Sequence, residues 1–240
     1  MNLHVGTSGY SYKEWKGNFY PEGLPAKEML AYYSRRLPAV EINNTFYRLP
    51  QPSMIENWRD QVPASFRFSI KATQRITHIK RLKNCSEETK YLLDTASLLG
   101  ERLGVVLFQL PPNSKKDTAR LKDFLTCLPE SIRAAFEFRH ESWSSEDTFG
   151  LLREKNCAWV ISDTNEKPLS EIINTAGWGY LRLRRTSYEA DDLSAWMKRV
   201  QEQKWSDAFV FFKHEDEGVG PKLAAQFLEL AHVELQKPDR

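Results

Sequence analysis

The chain has 240 residues, of which 41% are hydrophobic and 28% are charged, and its formal net charge at pH 7 is +2. This length suits one large α/β domain, and the composition is that of a soluble globular protein, which excludes an intrinsically disordered chain. A net charge this close to zero does not by itself imply nucleic-acid binding, so any basic surface must be local.

The cysteines and the N-terminus indicate a compartment. Cys85, Cys127 and Cys157 form no CxxC pair, and an odd number of cysteines gives no disulfide framework. We therefore expect reduced thiols in a cytoplasmic protein. The first ten residues, MNLHVGTSGY, lack the basic and apolar regions of a signal peptide. No apolar run approaches the ~18 residues that span a membrane, so no membrane association is expected.

Strand-like and helix-like segments alternate along the chain. Eight short runs rich in Val, Ile and aromatic residues predict strands at His4–Ser8, Ala39–Asn43, Phe66–Lys71, Gly104–Leu110, Ala134–Arg139, Ala158–Asp163, Gly179–Arg184 and Ala208–Lys213. Apolar spacing and helix-start signals predict helices at Pro25–Arg36, Pro52–Gln61, Ser86 (as N-cap) to Gly100, Thr118–Leu128, a segment capped by Ser144 or Ser145, Pro168–Thr175, Asp191–Gln203 and Gly220–Val233.

This alternation predicts the fold. Strand followed by helix, with no proline-rich or Gly/Ser linker, predicts one domain over residues 1–240 with a parallel sheet. Eight such units in this length predict a (β/α)8 TIM barrel. An open, doubly wound sheet is the alternative, but no GxGxxG follows the first strand, so its nucleotide-binding form lacks support.

Polar residues interrupt the strands near their C-terminal ends, although strands buried on both faces are normally apolar throughout. In the segment AAFEFRHESW, Glu137 and Arg139 lie on one face of a strand and Phe136 and Phe138 on the other. The polar residues of this kind are Glu41, Asn43, Arg67, Ser69, Lys71, Gln109, Glu137, Arg139, Asp163, Arg182, Arg184 and Lys213. If the apolar set packs against the helices, this polar set lines a wet cavity at the C-terminal mouth, where (β/α)8 enzymes hold their sites. A salt-bridge network without a ligand is the alternative.

The predicted lining carries an excess of two positive charges. Its cations are Lys71, Arg139, Arg182, Arg184 and Lys213, and its acids are Glu41, Glu137 and Asp163. Such an excess favours a small anionic ligand with a carboxylate or phosphate group.

Five segments resemble the DUF72 family, also called the YecE-like family: GTSGYSYKEWKGNFYP, EINNTFYRLP, FRFSIKATQRITH, LFQLPP and EFRHESW. They follow one another in the family's order from residue 6 to about residue 165. The resemblance implies a TIM barrel and no particular reaction. The last third departs from the family pattern in LRLRRTSY and FFKHEDEG, with Arg184 and Arg185 where a histidine and a glycine are often seen.

The polar residues predicted at the mouth indicate an enzyme that uses carboxylates as acid and base on a small anionic or sugar-like substrate. Glu41 and Glu137 are the predicted pair, because neighbouring Lys71 or Arg139 would separate their pKa values. Lys71 is alternatively an electrophile, a Schiff-base amine or a counterion of the glutamates. The predicted substrate-binding residues are Tyr10, Trp15, Asn43, Tyr47, Gln109, Arg139, His140, Trp143, Asp163 and Arg182.

No cofactor is predicted from the motifs. The histidines form neither an HxH nor an HExxH motif. A divalent metal held by Asp163, Glu137 and a histidine after a strand end (His140 or His214) is a lesser alternative, because cations surround that position.

Two further functions stay open. KATQRITHIKRLKN carries five basic residues and no acid after the third strand, and aromatic residues follow several strand ends. Together they predict, as a second hypothesis, a nucleic-acid binding or processing protein that holds phosphates and stacks bases. A third hypothesis is a non-catalytic ligand-binding protein. The sequence does not predict an oligomeric state.

Overall fold

A closed barrel of eight parallel strands forms the frame of the protein. The computed structural model describes residues 1–166, 171–214 and 217–235. Within them the strands are β1 (Asn2–Ser8), β2 (Ala39–Ile42), β3 (Arg67–Lys71), β4 (Leu103–Gln109), β5 (Ala134–Glu137), β6 (Ala158–Asp163), β7 (Gly179–Leu183) and β8 (Asp207–Phe212). Each strand pairs with its neighbours in chain order, and β8 closes the barrel on β1. The predicted (β/α)8 TIM barrel is confirmed, with strand bounds within two residues of the predicted ones.

A helix follows each strand other than β6, after which the described residues form none. The helices are α1 (Met29–Ser34), α2 (Pro52–Asp60), α3 (Ser86–Ala96), α4 (Thr118–Leu125), α5 (Glu146–Glu154), α6 (Ala190–Gln201) and α7 (Val219–Leu235). Shorter 3₁₀ segments cover Lys13–Trp15, Ala26–Glu28, Asn44–Phe46, Ser97–Arg102 and Glu141–Trp143, and Arg75–Ile79 forms a π-helical turn. Within the described parts of the chain, no helix is long and apolar enough to cross a bilayer.

Two helix predictions need correction. Ser86 is the first residue of α3 and not its N-cap, which is Cys85. The predicted helix Pro168–Thr175 lies partly outside the described residues, and residues 171–175 are not helical. The Thr175 hydroxyl donates to the Cys157 carbonyl at 2.8 Å and accepts from the Trp159 N–H at 2.7 Å. These bonds hold the segment against the start of β6.

The two faces of each strand have different neighbours. On β5, Phe136 points outward, where its ring lies 5.3 Å from Phe108 and 6.1 Å from Phe124 of α4. The inward face packs on itself in the lower barrel, where Leu107, Phe209 and other buried apolar side chains form a separate cluster. These apolar side chains occupy the barrel interior below the C-terminal mouth, so the polar residues of the mouth lie directly above an apolar layer.

Candidate functional site at the barrel mouth

A buried ion-pair network occupies the centre of the barrel near the C-terminal ends of the strands. Glu41 of β2, Glu137 of β5 and Arg182 of β7 are 0%, 3% and 3% exposed. Arg182 donates from Nη2 to Glu41 Oε1 at 2.8 Å and from Nη1 to Glu137 Oε2 at 2.5 Å. Its single positive charge therefore joins two carboxylates from strands that are not neighbours and offsets their mutual repulsion.

Besides its ion pair with Arg182, Glu41 accepts hydrogen bonds from three neutral donors. These donors are Ser8 Oγ at 2.7 Å, Tyr180 OH at 2.7 Å and Asn43 Nδ2 at 3.0 Å. Burial alone would raise the pKa of Glu41, but the charge of Arg182 and the hydrogen bonds from Tyr180 and Ser8 hold this pKa below its usual value. Glu41 is therefore ionised at neutral pH.

Glu137 is surrounded by cations. Gln109 Nε2 donates to it at 2.8 Å, and Arg139 Nε and Arg184 Nη2 each donate at 3.2 Å. Burial opposes ionisation of this carboxyl, but the charges of Arg182, Arg184 and Arg139 hold its pKa far below its usual value. Arg184, one of the departures from the family pattern, thus adds a third guanidinium to one carboxylate.

The described side chains of the mouth carry more positive than negative charge, and two of their hydrogen-bond donors have no partner. Its cationic side chains are Lys71, Arg139, Arg182 and Arg184, and its carboxylates are Glu41 and Glu137. The Nε–H groups of Arg182 and Arg184 are buried without a hydrogen-bond partner among the described residues. Arg139 has a side chain that is 40% exposed and Arg184 one that is 16% exposed, so solvent reaches this side of the network.

Lys71 lies apart from the ion pairs. Its half-buried side chain ends with Nζ 4.4 Å from the centre of the Phe46 ring, and within the described chain no carboxylate lies in ion-pair distance of it. Burial and the charge of Arg182 lower the pKa of Lys71 to about 8, against the opposing influence of Glu41 and Glu137. This amine can therefore exchange a proton near neutral pH.

Asp163 does not line the mouth, which corrects the sequence prediction. Its neighbour Ser162 pairs with Arg182 on the inward face, so Asp163 points outward toward α6. There Asp163 Oδ2 accepts hydrogen bonds from Tyr188 OH and Trp196 Nε1, each at 3.0 Å, and it pairs with Arg185 at 3.2 Å. The carboxylate fastens the wall of the barrel to its outer layer.

The two tryptophans predicted to bind substrate are core residues. Trp15 is 0% exposed and Trp143 is 1% exposed, and both belong to the large outer core cluster. Trp143 Nε1 donates to the Ser114 carbonyl at 2.7 Å, and its ring stacks on Phe138 at 4.4 Å. Tyr10 is half-buried against the same cluster. Neither tryptophan is accessible to a ligand in this structure.

The other predicted residues are spread around the mouth. Asn43 and Gln109 belong to the network described above. Tyr47 is 76% exposed, whereas His140 is half-buried with Nδ1 2.9 Å from Ser142 Oγ. Lys213 is exposed beyond the end of β8, and Arg67 begins β3 at the opposite end of the barrel.

Three contributing residues were not among the polar lining residues predicted from the sequence: Ser8, Tyr180 and Ser162. Tyr180 OH lies 2.6 Å from Ser69 Oγ besides donating to Glu41, and Arg184 Nη2 donates to Ser162 Oγ at 2.6 Å. All three lie on the inward face of their strands. The alternation that marks Arg182 also marks Tyr180, two residues earlier, so the signal was present in the sequence.

The structure does not support the predicted alternative of a metal ion at Asp163 and Glu137. Asp163 faces α6, whereas Glu137 faces the barrel axis and is held by arginines. Among the side chains described, no group of three or more His, Cys, Asp and Glu residues could hold a metal ion.

A surface groove of about 480 Å³ lies next to the mouth. Its lining comes from the segments after β2 and β3 and from α3, namely Tyr47, Arg48, Leu49, Thr73, Gln74, Arg75, Ile79, Glu87, Glu88 and Tyr91. Tyr47, Ile79 and Tyr91 are 76%, 71% and 54% exposed. Glu88 pairs with Arg75 at 2.8 Å and with Lys80 at 2.7 Å, so the basic segment after β3 is partly neutralised.

Comparisons with known proteins agree with this architecture. The chain is 25% identical to the UPF0759 protein YunF of Bacillus subtilis over 97% of this chain and 95% of YunF. It is 29% identical to the UPF0759 protein YecE of Escherichia coli K12 over 72% of this chain and 65% of YecE. A crystal structure of a DUF72 family protein from Thermotoga maritima superposes with a TM-score of 0.81 at 26% identity, covering 97% of this chain and all of that one.

A second solved structure shows the same fold at lower similarity. A DUF72 family protein from Enterococcus faecalis superposes with a TM-score of 0.76 at 18% identity, covering 99% of this chain and 97% of that one. The family model described as "Protein of unknown function DUF72" matches residues 4–240. The resemblance seen in the motifs is therefore confirmed, and this chain belongs to the DUF72 family.

Proposed function

We propose that this protein is an enzyme that binds a small anionic or sugar-like substrate at the barrel mouth. The supporting observation is the excess of positive charge around two buried carboxylates that are already fully engaged. The Nε–H donors of Arg182 and Arg184 lack partners among the described residues. On the side of the network that solvent reaches, a carboxylate or phosphate group would receive charge-assisted hydrogen bonds from Arg139 and Arg184 and would offset the excess charge.

The pKa directions divide the catalytic roles. Glu41 and Glu137, the predicted acid and base, have lowered pKa values, so both stay ionised and hold the arginines in place. Lys71, with a pKa of about 8, is the group of the mouth best suited to proton transfer or nucleophilic attack near neutral pH. We therefore assign the reacting role to Lys71 and the positioning role to the two glutamates.

The change Arg184→Gln tests the binding site. We expect phosphate, citrate and sugar phosphates to raise the Tm of the unaltered protein, because a ligand that binds the native state stabilises it. Loss of one guanidinium should weaken anion binding roughly 10-fold or more, since a charge-assisted hydrogen bond contributes about 1.5–3 kcal/mol. Thermal-shift titrations at constant ionic strength, followed by calorimetry, measure both effects.

The matched control for this experiment is Arg59→Gln. Arg59 lies near the C-terminal end of α2, where it pairs with Asp60 at 2.8 Å, and it takes no part in the mouth network. The control should keep the full response to anions. An equal Tm rise in both variants would reveal a general salt effect and overturn the proposal.

A non-catalytic ligand-binding protein is the alternative that shares this site. Tight binding of an anion with no chemical change after prolonged incubation, followed by mass spectrometry, would favour it over the enzyme.

The groove next to the mouth favours a nucleic acid only in part. Exposed Tyr47 and Tyr91 offer rings for base stacking beside Arg48 and Arg75. Glu88 lines the same groove and pairs with Arg75, which opposes phosphate binding. Single-strand affinity that falls steeply with salt and is lost on Tyr47→Ala would support this function.

The cytoplasm remains the compartment that we propose. Cys85, Cys127 and Cys157 are free thiols, which suits a reducing environment.

A further inference from the structure

The side chain of Lys71 combines three features that a nucleophilic amine needs. It lies at the C-terminal end of β3, where the inward alternation of Ser69 continues. It is half-buried under the ring of Phe46, with 4.4 Å between Nζ and the ring centre. Within the described chain no carboxylate forms an ion pair with it, so the nitrogen is not fixed by a counterion.

The surroundings of the amine raise the fraction of its neutral form, which is the form that attacks. Partial burial removes water from the ammonium, and the arginines of the network add repulsion. The charges of Glu41 and Glu137 act in the opposite direction and raise the pKa of Lys71, although neither carboxylate lies within ion-pair distance of the amine. Other lysines differ: Lys90, for example, is exposed and pairs with Asp94 at 2.6 Å.

We propose that Lys71 forms a Schiff base with a small carbonyl compound that also carries an anionic group, such as an oxo acid. This inference rests on the proposed function, because the mouth must first bind the anion. Arg139 and Arg184 hold the anionic group. Lys71 projects from the inward face of β3, so its amine attacks the carbonyl carbon of the bound compound.

The step needs no oxidant, reductant or second substrate. The Nζ lone pair attacks the carbonyl carbon, the C=O π pair moves to oxygen, and proton transfer from nitrogen to oxygen gives a carbinolamine. The nitrogen lone pair then forms C=N, and the hydroxyl leaves as water with one proton taken from solvent. The protonated imine carries the same single positive charge as the ammonium, so the charge balance of the mouth is preserved.

Reductive trapping tests this assignment directly. The protein is incubated with glyoxylate or pyruvate near pH 7 and treated with sodium borohydride, and peptide mapping by mass spectrometry measures labelling at each lysine. An amine with a pKa of about 8 has a neutral fraction on the order of 100-fold larger than an ordinary lysine at this pH. We expect Lys71 to be labelled at least ~10-fold faster than Lys90 in the same sample. Equal rates at the two lysines would overturn the proposal.

The comparison within one sample does not depend on a variant that folds. As a second measurement, Lys71→Arg keeps the positive charge and removes the nucleophile, so the fast-labelling component should vanish while Lys90 labels as before. A fast component that persists in this variant would assign the Schiff base to another residue and contradict the inference.

A non-carbonyl anion separates this inference from the function on which it rests. Lactate carries the carboxylate without the carbonyl, so it should slow the labelling of Lys71 by competition. Competition or a Tm rise with lactate, without preferential labelling of Lys71, would overturn the Schiff base and leave the anion-binding mouth standing. If neither lactate nor phosphate binds and acetone labels Lys71 as fast as pyruvate does, the anion-binding mouth is wrong.

Discussion

The two ends of the barrel both carry a buried polar cluster, and they balance charge differently. At the N-terminal end, Asp207 is 6% exposed and accepts hydrogen bonds from four neighbours. The partners are Asn2 Nδ2 at 3.2 Å, His4 Nε2 at 3.1 Å, Arg133 Nη2 at 2.9 Å and Ser206 Oγ at 2.8 Å. Asp207 forms its arginine ion pair with Arg133, and no buried polar atom of this cluster is left without a partner among the described residues.

The mouth has the opposite properties. Its cations outnumber its carboxylates by two, and it leaves guanidinium donors of Arg182 and Arg184 unused. A cluster that only closes the end of a barrel needs neither feature, since uncompensated buried charge is costly. Complete pairing is therefore typical of a structural cluster, whereas the excess charge and open donors of the mouth support the anion binding that we propose.

Removal of the central arginine should have the largest effect. In Arg182→Met, Glu41 and Glu137 lose the cation they share and become buried charges without it. We expect the free energy of unfolding to fall by about 3–5 kcal/mol at neutral pH. Urea denaturation measures the loss. The matched change Arg133→Met at the other end should cost only about 1 kcal/mol, because that side chain is 40% exposed. Equal losses would contradict the contrast between the two ends.

The pH dependence of the Arg182→Met variant supplies its own check. In the unaltered protein the pKa of Glu137 lies below its unfolded value, so this group stabilises the fold above the unfolded pKa and loses that contribution in acid. Without Arg182, Glu41 keeps only neutral donors among the described residues, so burial raises its pKa and the sign reverses for this carboxyl, whereas Arg139 and Arg184 still face Glu137. The variant should therefore recover part of its lost stability between pH 7 and pH 5, relative to the unaltered protein.

A smaller effect is expected from removing one carboxylate at each end. Glu137→Gln increases the charge excess of the mouth, so phosphate should bind roughly 3- to 10-fold more tightly by calorimetry. Asp207→Asn removes a carboxylate from the balanced cluster and should leave the phosphate affinity unchanged. Weaker binding in Glu137→Gln, or a matching gain in Asp207→Asn, would show that charge excess at the mouth does not set anion affinity.

The sequence predicted correctly which side chains point into the barrel where a strand had one polar face and one apolar face. In β5 the aromatic Phe136 fixes the outward face, so Glu137 must point inward. The same reasoning holds for Arg182 between Leu181 and Leu183 of β7. Helix and strand periods are local properties, and for that reason the whole barrel was also predictable.

The wrong predictions concern positions where the sequence shows no difference in polarity between the two faces of an element. In β6 both faces are apolar until the end of the strand, so Asp163 was assigned inward although its neighbour Ser162 takes that place. Trp15 and Trp143 lie in short 3₁₀ segments after strands, where no period indicates which side chains are buried. Their burial depends on packing between distant parts of the chain, which a single sequence does not encode in its spacing.

The smallest expected effect comes from the imidazole of the balanced cluster. Burial lowers the pKa of His4, and the charges of Arg67 and Arg133 act in the same direction, against the hydrogen bond and charge of Asp207. The unfolded chain therefore takes up this proton at a higher pH than the folded protein does, and acidification below about pH 6.5 favours unfolding. In His4→Gln that contribution disappears, so the free energy of unfolding should fall less between pH 7 and pH 5 than in the unaltered protein. Urea denaturation across this range measures the slope, and an unchanged or steeper slope would show that the N-terminal cluster is not a source of acid sensitivity.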